Sequence, residues 1–191
     1  MLSPRAPICF TKIQKYSMSN KIPDFQKIGE QLIKDAQTIA EVEMINFVMG
    51  NFEKQGFTDK NLSPWEKRKD NADPGRAVLV KSGILRDSVK VTESNSDRVV
   101  VSASAKYAQI HNEGGIINVR VTPRMRKYFW LMYYKTEDEK FRAMALTKKQ
   151  AFKIKIPKRQ FMGHSETFNA HIEDLFFKTI TQRFKQHLNT I

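Results

Sequence analysis

The segment LVKSGILRDSVKVTESNSDRVVVSASAKYAQIHNEGG, residues 79–115, decides the fold that this sequence predicts. Residues 88–92 alternate polar and apolar side chains, and residues 98–102 are rich in β-branched valine, as is typical of β-strands. Residues 94–97 between them are polar turn formers. We therefore expect two antiparallel strands joined as a hairpin.

A long helix and a long loop precede this hairpin. Apolar residues recur at helical spacing from Pro23 to Gly50, and a proline is favourable in a first helical turn. Residues 51–80 contain glycine, proline, asparagine and aspartate at several positions, which predicts a long loop. Three aromatic residues of this segment are expected to pin it to the core, namely Phe52, Phe57 and Trp65.

Two further strands, separated by an insert, are predicted after the hairpin. A short helical piece over Lys106–Asn112 ends at two glycines, and residues 117–121 and 152–156 alternate in the manner of strands. Residues 122–150 form a helical basic insert, whose aromatic-rich part is apolar nearly all round and should be covered by other protein. Ser165 can cap a final helix that has one apolar face.

These elements predict an α+β fold. A small, mostly antiparallel sheet of about four strands packs against long N- and C-terminal helices, with the helical basic insert attached. Residues 21–191 are expected to form a single domain that contains the long loop 51–80. Residues 1–20 lack a secretory signal, and we expect either a disordered arm or a mis-assigned start that precedes the true start at Met18.

Positive charge is concentrated in one part of the chain. The whole chain carries a net charge of +13, and residues 120–160 hold 13 basic and 3 acidic residues. Such a segment favours an acidic partner, either a nucleic-acid backbone or an acidic protein surface, although a solvated, flexible insert can have the same composition. The residues that we expect to contact DNA or a partner are Arg120, Arg124, Arg126, Lys127, Lys148 and Lys149.

The sequence contains no recognisable catalytic or metal-binding pattern. Cys9 is its one cysteine, which excludes an internal disulfide and a multi-cysteine zinc site. Glycine-rich phosphate loops are absent, and no apolar run is long enough to span a bilayer. We therefore expect no enzyme activity, catalytic residue, metal, cofactor or membrane contact. The alternative in the enzyme class is a hydrolase or nuclease site that uses Asp87, His111 and Glu113.

Three short blocks occur in order along the chain, at Leu79–Val89, Tyr107–Gly115 and Ile156–Gly163. They read L-x-x-S-G-x-L-R-x-S-V, Y-A-x-x-H-x-x-G-G and I-P-x-R-x-F-M-G. These blocks resemble those of the phage virion morphogenesis family, with Gln160 where the family pattern has proline. The residues that carry the resemblance are Ser82, Gly83, Leu85, Arg86, Ser88, Tyr107, His111, Gly114, Gly115, Pro157, Arg159, Phe161 and Gly163.

The resemblance implies a structural phage or prophage protein for virion assembly, active in tail completion or head–tail joining at the neck. It also implies other head, neck and tail proteins as partners, a homo-oligomer in the virion, and assembly in the bacterial cytoplasm. The alternative function is a nonspecific nucleic-acid-binding module in which segment 120–160 supplies charge and stacking aromatics.

The block residues also have local structural explanations. Gly83 permits a tight turn into a short helical turn, and Leu85 is a core anchor. Ser88 begins a strand. Arg159 suits a packed corner in which its guanidinium binds a carboxylate or backbone carbonyls.

Overall fold

The computed structural model describes residues 24–68 and 75–189. The expectations for residues 1–20 fall outside this part of the chain. Helices and strands follow one another in an α+β order, as the sequence predicts. In chain order they are α1 (Phe25–Lys54), β1 (Gly56–Thr58), β2 (Leu62–Pro64), α2 (Ile84–Asp87), β3 (Val89–Ser94), β4 (Val99–Ala103), α3 (Ala108–Glu113), β5 (Gly115–Arg120), α4 (Pro123–Thr136), α5 (Glu139–Leu146), β6 (Ala151–Ile156) and α6 (Glu166–Asn189).

The strands do not combine into one sheet. All four predicted strands form, as β3 to β6, but the described residues contain three separate antiparallel pairs: β1–β2, β3–β4 and β5–β6. The prediction of one sheet of about four strands is therefore not confirmed. Strands β5 and β6 pair with each other across the insert that separates them, and β3–β4 packs against α1 instead.

The two long helices, α1 and α6, lie antiparallel against each other. Arg183 donates two hydrogen bonds to the carboxylate of Asp35, at 2.6 and 3.1 Å. Towards the other end of the pair, the rings of Phe47 and Phe168 lie 4.6 Å apart. The predicted cap of α6 is present, since the Ser165 hydroxyl accepts a hydrogen bond from the Phe168 N–H at 3.2 Å.

Helix α1 extends past the predicted stop at Gly50 and reaches Lys54. The reason is Asn51, whose side chain turns inward and is buried instead of ending the helix. Its amide nitrogen donates to the Phe161 carbonyl at 3.2 Å, and its amide oxygen accepts from the Thr58 N–H at 2.9 Å. The prediction that segment 51–80 is an irregular loop was also incomplete, because it includes the β1–β2 hairpin.

The main core gathers residues that lie far apart in sequence. Phe161 is 1% exposed, and its ring lies 5.2 Å from that of Phe52. Trp65 packs edge-on against Phe52 at 5.5 Å, and its indole N–H donates to the Gln160 carbonyl at 2.7 Å. Leu85 and Val89 complete the cluster from the other side. The expectation that aromatics pin segment 51–80 to the core is confirmed, since Phe57 is buried as well.

Residues 115–156, which we call the arm, pack mainly on themselves. They comprise the β5–β6 ribbon with α4 and α5 at its end. Phe129 is buried between Phe141 and Phe152, at ring distances of 6.5 and 6.1 Å. Arg126 ties the two helices together, because it donates to the carbonyls of Ala145 and Thr147 at 2.9 and 2.7 Å.

Within this chain the aromatic helix is covered on one side only, so the prediction that other protein covers it stays a prediction. Phe129 faces inward, but Tyr128 is 54% exposed, Leu131 64% and Tyr134 76%. The helix pair α4–α5 lies at the end of the two-stranded ribbon, so one side of α4 has no further element of the arm to pack against.

Shortening the Phe161 side chain to alanine should lower the free energy of unfolding by about 3–5 kcal/mol, because it leaves a cavity among Phe52 and its neighbours. Phe177→Ala is the matched control, since Phe177 is 71% exposed, and it should change stability by about 0.5 kcal/mol or less. Urea denaturation followed by circular dichroism measures both. Equal losses in the two variants would contradict the assigned core.

Candidate functional site

The first block forms a tight turn that leads into strand β3. Gly83 has a φ of +74° at the start of α2, a conformation that favours glycine. Leu85 is buried in the core. The Ser88 hydroxyl donates to the Leu85 carbonyl at 2.7 Å, and its own carbonyl accepts from the Ser104 N–H at 3.2 Å. The block thereby attaches β3 to the core, whereas Arg86 is exposed and contacts neighbouring Asp87 at 3.2 Å.

The second and third blocks, distant in sequence, close on each other at what we call the motif corner, residues 107–115 and 157–163. The Arg159 N–H donates to the His111 carbonyl at 2.8 Å. Asn112 accepts two hydrogen bonds on its side-chain oxygen, from the Phe161 N–H at 2.9 Å and the Met162 N–H at 3.0 Å. Both backbone donors are thereby satisfied inside the molecule, which fixes the third block on the second.

Gly114 is required by this close approach. Its φ is +75°, and a Cβ atom added to it would lie 2.8 Å from the backbone nitrogen of Lys158. A side chain at this position would therefore push the two blocks apart. Gly115 and Gly163 also have positive φ values, and Pro157 comes directly after β6 at the same corner.

Arg159 is the most buried charged residue of the motif corner. It is 9% exposed, and its Nε donates to the Glu66 carbonyl at 3.0 Å. This is the backbone contact that a packed corner predicts for an arginine. Burial lowers the pKa of Arg159, an effect that nearby Glu66 opposes and nearby Arg68 reinforces.

His111 lies beside Arg159 and contacts Tyr107 edge-on, with ring centroids 5.8 Å apart. Burial lowers the pKa of His111, and the positive charge of Arg159 lowers it further. The neutral imidazole is therefore favoured at neutral pH. Within residues 24–68 and 75–189, its Nδ1 atom is buried and has no hydrogen-bond partner.

The residues of the alternative enzyme site have local partners in the fold. Asp87 contacts Arg86, and Glu113 accepts a hydrogen bond from Gln109 at 3.3 Å. Across the described ranges 24–68 and 75–189, no three His, Cys, Asp or Glu side chains are grouped closely enough to hold a metal ion.

The arm displays most of the basic residues that the sequence proposed for contacts. Arg124 and Lys127 are exposed on α4, on the same side as Tyr128, Leu131 and Tyr134. Three others, Arg120, Lys148 and Lys149, are also exposed. Arg126 differs, because its guanidinium holds α4 to the end of α5.

Sequence reasoning missed two asparagines. Asn51 was assigned to the loop that follows the first helix, and Asn112 was an unassigned position inside the second block. Both use their side chains to satisfy backbone groups of residues distant in sequence or in another element. Their positions in the sequence were the one signal that these asparagines have structural roles. Asn51 lies next to Phe52 in an apolar helix, and Asn112 lies two residues before a motif glycine.

Comparison with known proteins gives one result at the level of the family. A model of the phage virion morphogenesis family matches residues 9–181. Searches of curated proteins and of solved structures found no match. In the described part of the chain, no helix is both long and apolar enough to cross a membrane.

Replacing Asn112 by alanine should lower the free energy of unfolding by about 2 kcal/mol, because the Phe161 and Met162 N–H groups lose their acceptor. Asn112→Asp should lose less, since a carboxylate accepts both hydrogen bonds. Asn118→Ala, at an exposed position of β5, should stay within about 0.5 kcal/mol of the parent. Chemical denaturation measures all three, and similar values for Asn112→Ala and Asn118→Ala would refute the role of this side chain.

Proposed function

The chain belongs to the phage virion morphogenesis family, and on this premise we propose that it is a structural tail-completion protein that joins head and tail at the neck. Family membership assigns it a part in building the phage particle. In this proposal it works as a homo-oligomer in the virion and contacts other head, neck and tail proteins. It is made and assembled in the cytoplasm of the bacterial host, and it performs no catalysis.

The exposed side of α4 is the observation that carries the proposal. Tyr128, Leu131 and Tyr134 recur at helical spacing and remain largely exposed. Exposed apolar patches of this kind mark interaction surfaces, and aromatic side chains are the anchors that contribute most binding free energy. We infer that this side of the arm is buried against a neighbouring subunit in the particle.

The arm is suited to docking because its base is fixed. Strand β5 begins at Gly115 and β6 ends at Ile156, so both ends of the arm meet the motif corner. The hydrogen bonds of Asn112 and the backbone contact between Arg159 and His111 hold that corner. In this mechanism the block residues orient a docking surface, and binding follows from complementary surfaces.

Combining Tyr128→Ala, Leu131→Ala and Tyr134→Ala should prevent particle completion while the chain stays folded. Each truncated anchor at an interface centre weakens binding by about 2 kcal/mol, so unattached heads and tails should accumulate. Electron microscopy of lysates from a phage carrying the altered gene measures this, with circular dichroism as the check on folding.

The matched control combines Val42→Ala, Ile84→Ala and Phe177→Ala, which remove exposed apolar side chains outside the arm. These variants should yield joined particles. Joined particles from the arm variant, in a chain shown to be folded, would rule out the α4 docking surface. Normal particles from a phage that lacks the whole gene would rule out the head–tail joining role itself.

Nonspecific DNA binding is the second candidate, and one observation favours it. On the exposed side of α4, basic residues alternate with aromatic ones, as in Arg124, Lys127, Tyr128, Tyr134 and Lys135. Charge attracts phosphates and exposed rings can stack on bases. Two of the three acidic residues of the arm do not neutralise this side, because Asp138 and Glu139 pair with Lys140 and Arg142 at the junction of α4 and α5.

If the arm binds DNA, the combined change Arg124→Ala, Lys127→Ala and Lys135→Ala should weaken binding to single-stranded DNA and reduce its salt dependence. Each lost phosphate contact lowers the slope of log K against log salt by about 0.7. Fluorescence anisotropy over a salt series measures both quantities. Lys90→Ala with Lys106→Ala, which removes charge outside the arm, should have little effect. Absence of binding at low salt would eliminate this candidate.

A further inference from the structure

The geometry points to a docking site for α4 in a groove between α1 and α6, filled by the arm of a second copy of the chain. The contact rests on the proposed function, in which the exposed side of α4 is buried against a neighbouring subunit. It identifies that subunit as another copy, and the groove as the surface on which α4 docks.

Two adjoining cavities form the groove along the α1–α6 pair. They have volumes of about 440 and 230 Å³, and Ile33, Ala36 and Phe176 line both of them. On α1 the groove continues past Ala40 to Met44. The short side chains of the two alanines leave room between the larger apolar residues, so the groove can accept side chains from another helix.

The middle of the helix pair has no third element that covers it in the described part of the chain. No residue between Ile28 and Val48 of α1 is fully buried, and neither is any of residues 166–186 of α6. Ile33 and Ile180 line the groove and are 47% and 43% exposed. Because the apolar side of a helix is stable only against another layer, this part of the fold is open for a partner.

The exposed side of α4 has the length and the pattern that suit this groove. Its apolar anchors, Tyr128, Leu131 and Tyr134, follow one another at three-residue spacing, as in amphipathic helices that bind grooves. This side runs from Arg124 to Lys135, which is about 16 Å at the rise of an α-helix. The groove runs along α1 from Ile33 to Met44, over the same number of residues and hence the same length.

The two surfaces carry opposite charge. The arm, residues 115–156, has 11 basic and 3 acidic residues, whereas α1 has 3 basic and 5 acidic ones. Asp97 and Glu173 line the groove, and neither forms an ion pair with another described residue. Arg98 also lines it, but its charge is already paired with Glu93 at 2.6 Å. The groove therefore favours a basic occupant over a neutral or acidic one.

A second copy satisfies both surfaces at once. A nucleic acid can cover the basic side of α4, but it would leave the apolar groove open and be repelled by the carboxylates there. Every copy carries one groove and one α4, so the two surfaces are present in equal number. Because they are different surfaces, the contact is heterologous, and it closes into a ring if the rotation between copies allows.

The test measures self-association of the full chain by sedimentation velocity, with circular dichroism as the check on folding. Concentrations from about 1 to 100 μM bracket the expected Kd, which is on the order of 10 μM. The α4 variant combines Tyr128→Ala, Leu131→Ala and Tyr134→Ala. It should associate at least about a hundredfold more weakly than the parent, because it lacks all three anchors.

The groove variant combines Ile33→Lys and Ile180→Lys, which place positive charge where the basic helix would dock. It should also associate at least about a hundredfold more weakly, because each lysine repels α4 and removes an apolar contact. The matched control, Val42→Lys with Phe177→Lys, adds the same charge to exposed positions of α1 and α6 that do not line the groove, and should associate as the parent does.

If the groove variant does not fold, Asp97→Lys with Glu173→Lys replaces it. Both residues are exposed and line the groove, so the double change reverses its charge without removing apolar packing. This variant should associate about tenfold more weakly than the parent at low salt, and the difference should shrink as salt is added.

Mixing the α4 variant with the groove variant tests the pairing of the two surfaces directly. The α4 variant keeps an intact groove, and the groove variant keeps an intact α4. An equimolar mixture should therefore form a one-to-one dimer and no larger species, although each variant alone stays monomeric. Contact of α4 with α4 would instead leave the groove variant able to associate and would give no such dimer.

Three outcomes would overturn this assignment. A parent chain that stays monomeric at every concentration would leave α4 to another phage protein or to DNA. Undiminished association of the folded groove variant would place the contact outside the groove. A mixture that remains monomeric would exclude the pairing of α4 with the groove. The head–tail joining role is tested separately by the phage that lacks the gene, so either proposal can fail while the other holds.

Discussion

Two hydrogen bonds to one side-chain oxygen, that of Asn112, hold together the part of the molecule on which the rest depends. They connect α3 to the chain at Phe161 and Met162, about fifty residues later. The same contact places the Phe161 ring against Phe52. It also brings the Gln160 carbonyl to the indole N–H of Trp65, which donates a hydrogen bond to it. The residues between Asn112 and Phe161 include the arm. The two hydrogen bonds of Asn112 therefore both close the core and fix the base of the arm.

Ion pairs occur both outside the arm and within it. Outside the arm, Arg183 contacts Asp35 and Arg98 contacts Glu93. In the arm, charge and exposed apolar area exceed what its own packing uses, since Phe129 and Arg126 suffice to hold α4, α5 and the ribbon together. Such an excess on a well-anchored element is typical of a surface that is completed by another molecule.

Arg159 connects these two parts. Its backbone N–H helps to close the motif corner, its Nε donates to the Glu66 carbonyl, and its side chain lines two cavities. Burial lowers the pKa of Arg159, so this corner carries the positive charge of its guanidinium at an energetic cost, while His111 beside it is favoured as the neutral imidazole.

The order and type of the elements could be read from the sequence because they depend on local properties. Alternation predicts β3 to β6, and helical spacing predicts α1 and α6. Phe52, Phe57, Trp65 and Leu85 were also assigned to the core from the sequence, and all four are buried. The three blocks identified the family without any structure.

Only the tertiary structure decided which strands pair and which aromatics are covered. Alternation of polar and apolar residues shows which side chains share a face of a strand, but it does not show which strand pairs with which. One sheet and three separate strand pairs therefore fit the same sequence pattern. Likewise, the composition of α4 cannot show that a thin arm leaves Tyr134 exposed while Phe129 is buried. The roles of Asn51, Asn112 and Arg159 depend on backbone groups far away in sequence, because a hydrogen bond requires proximity that only the folded chain provides.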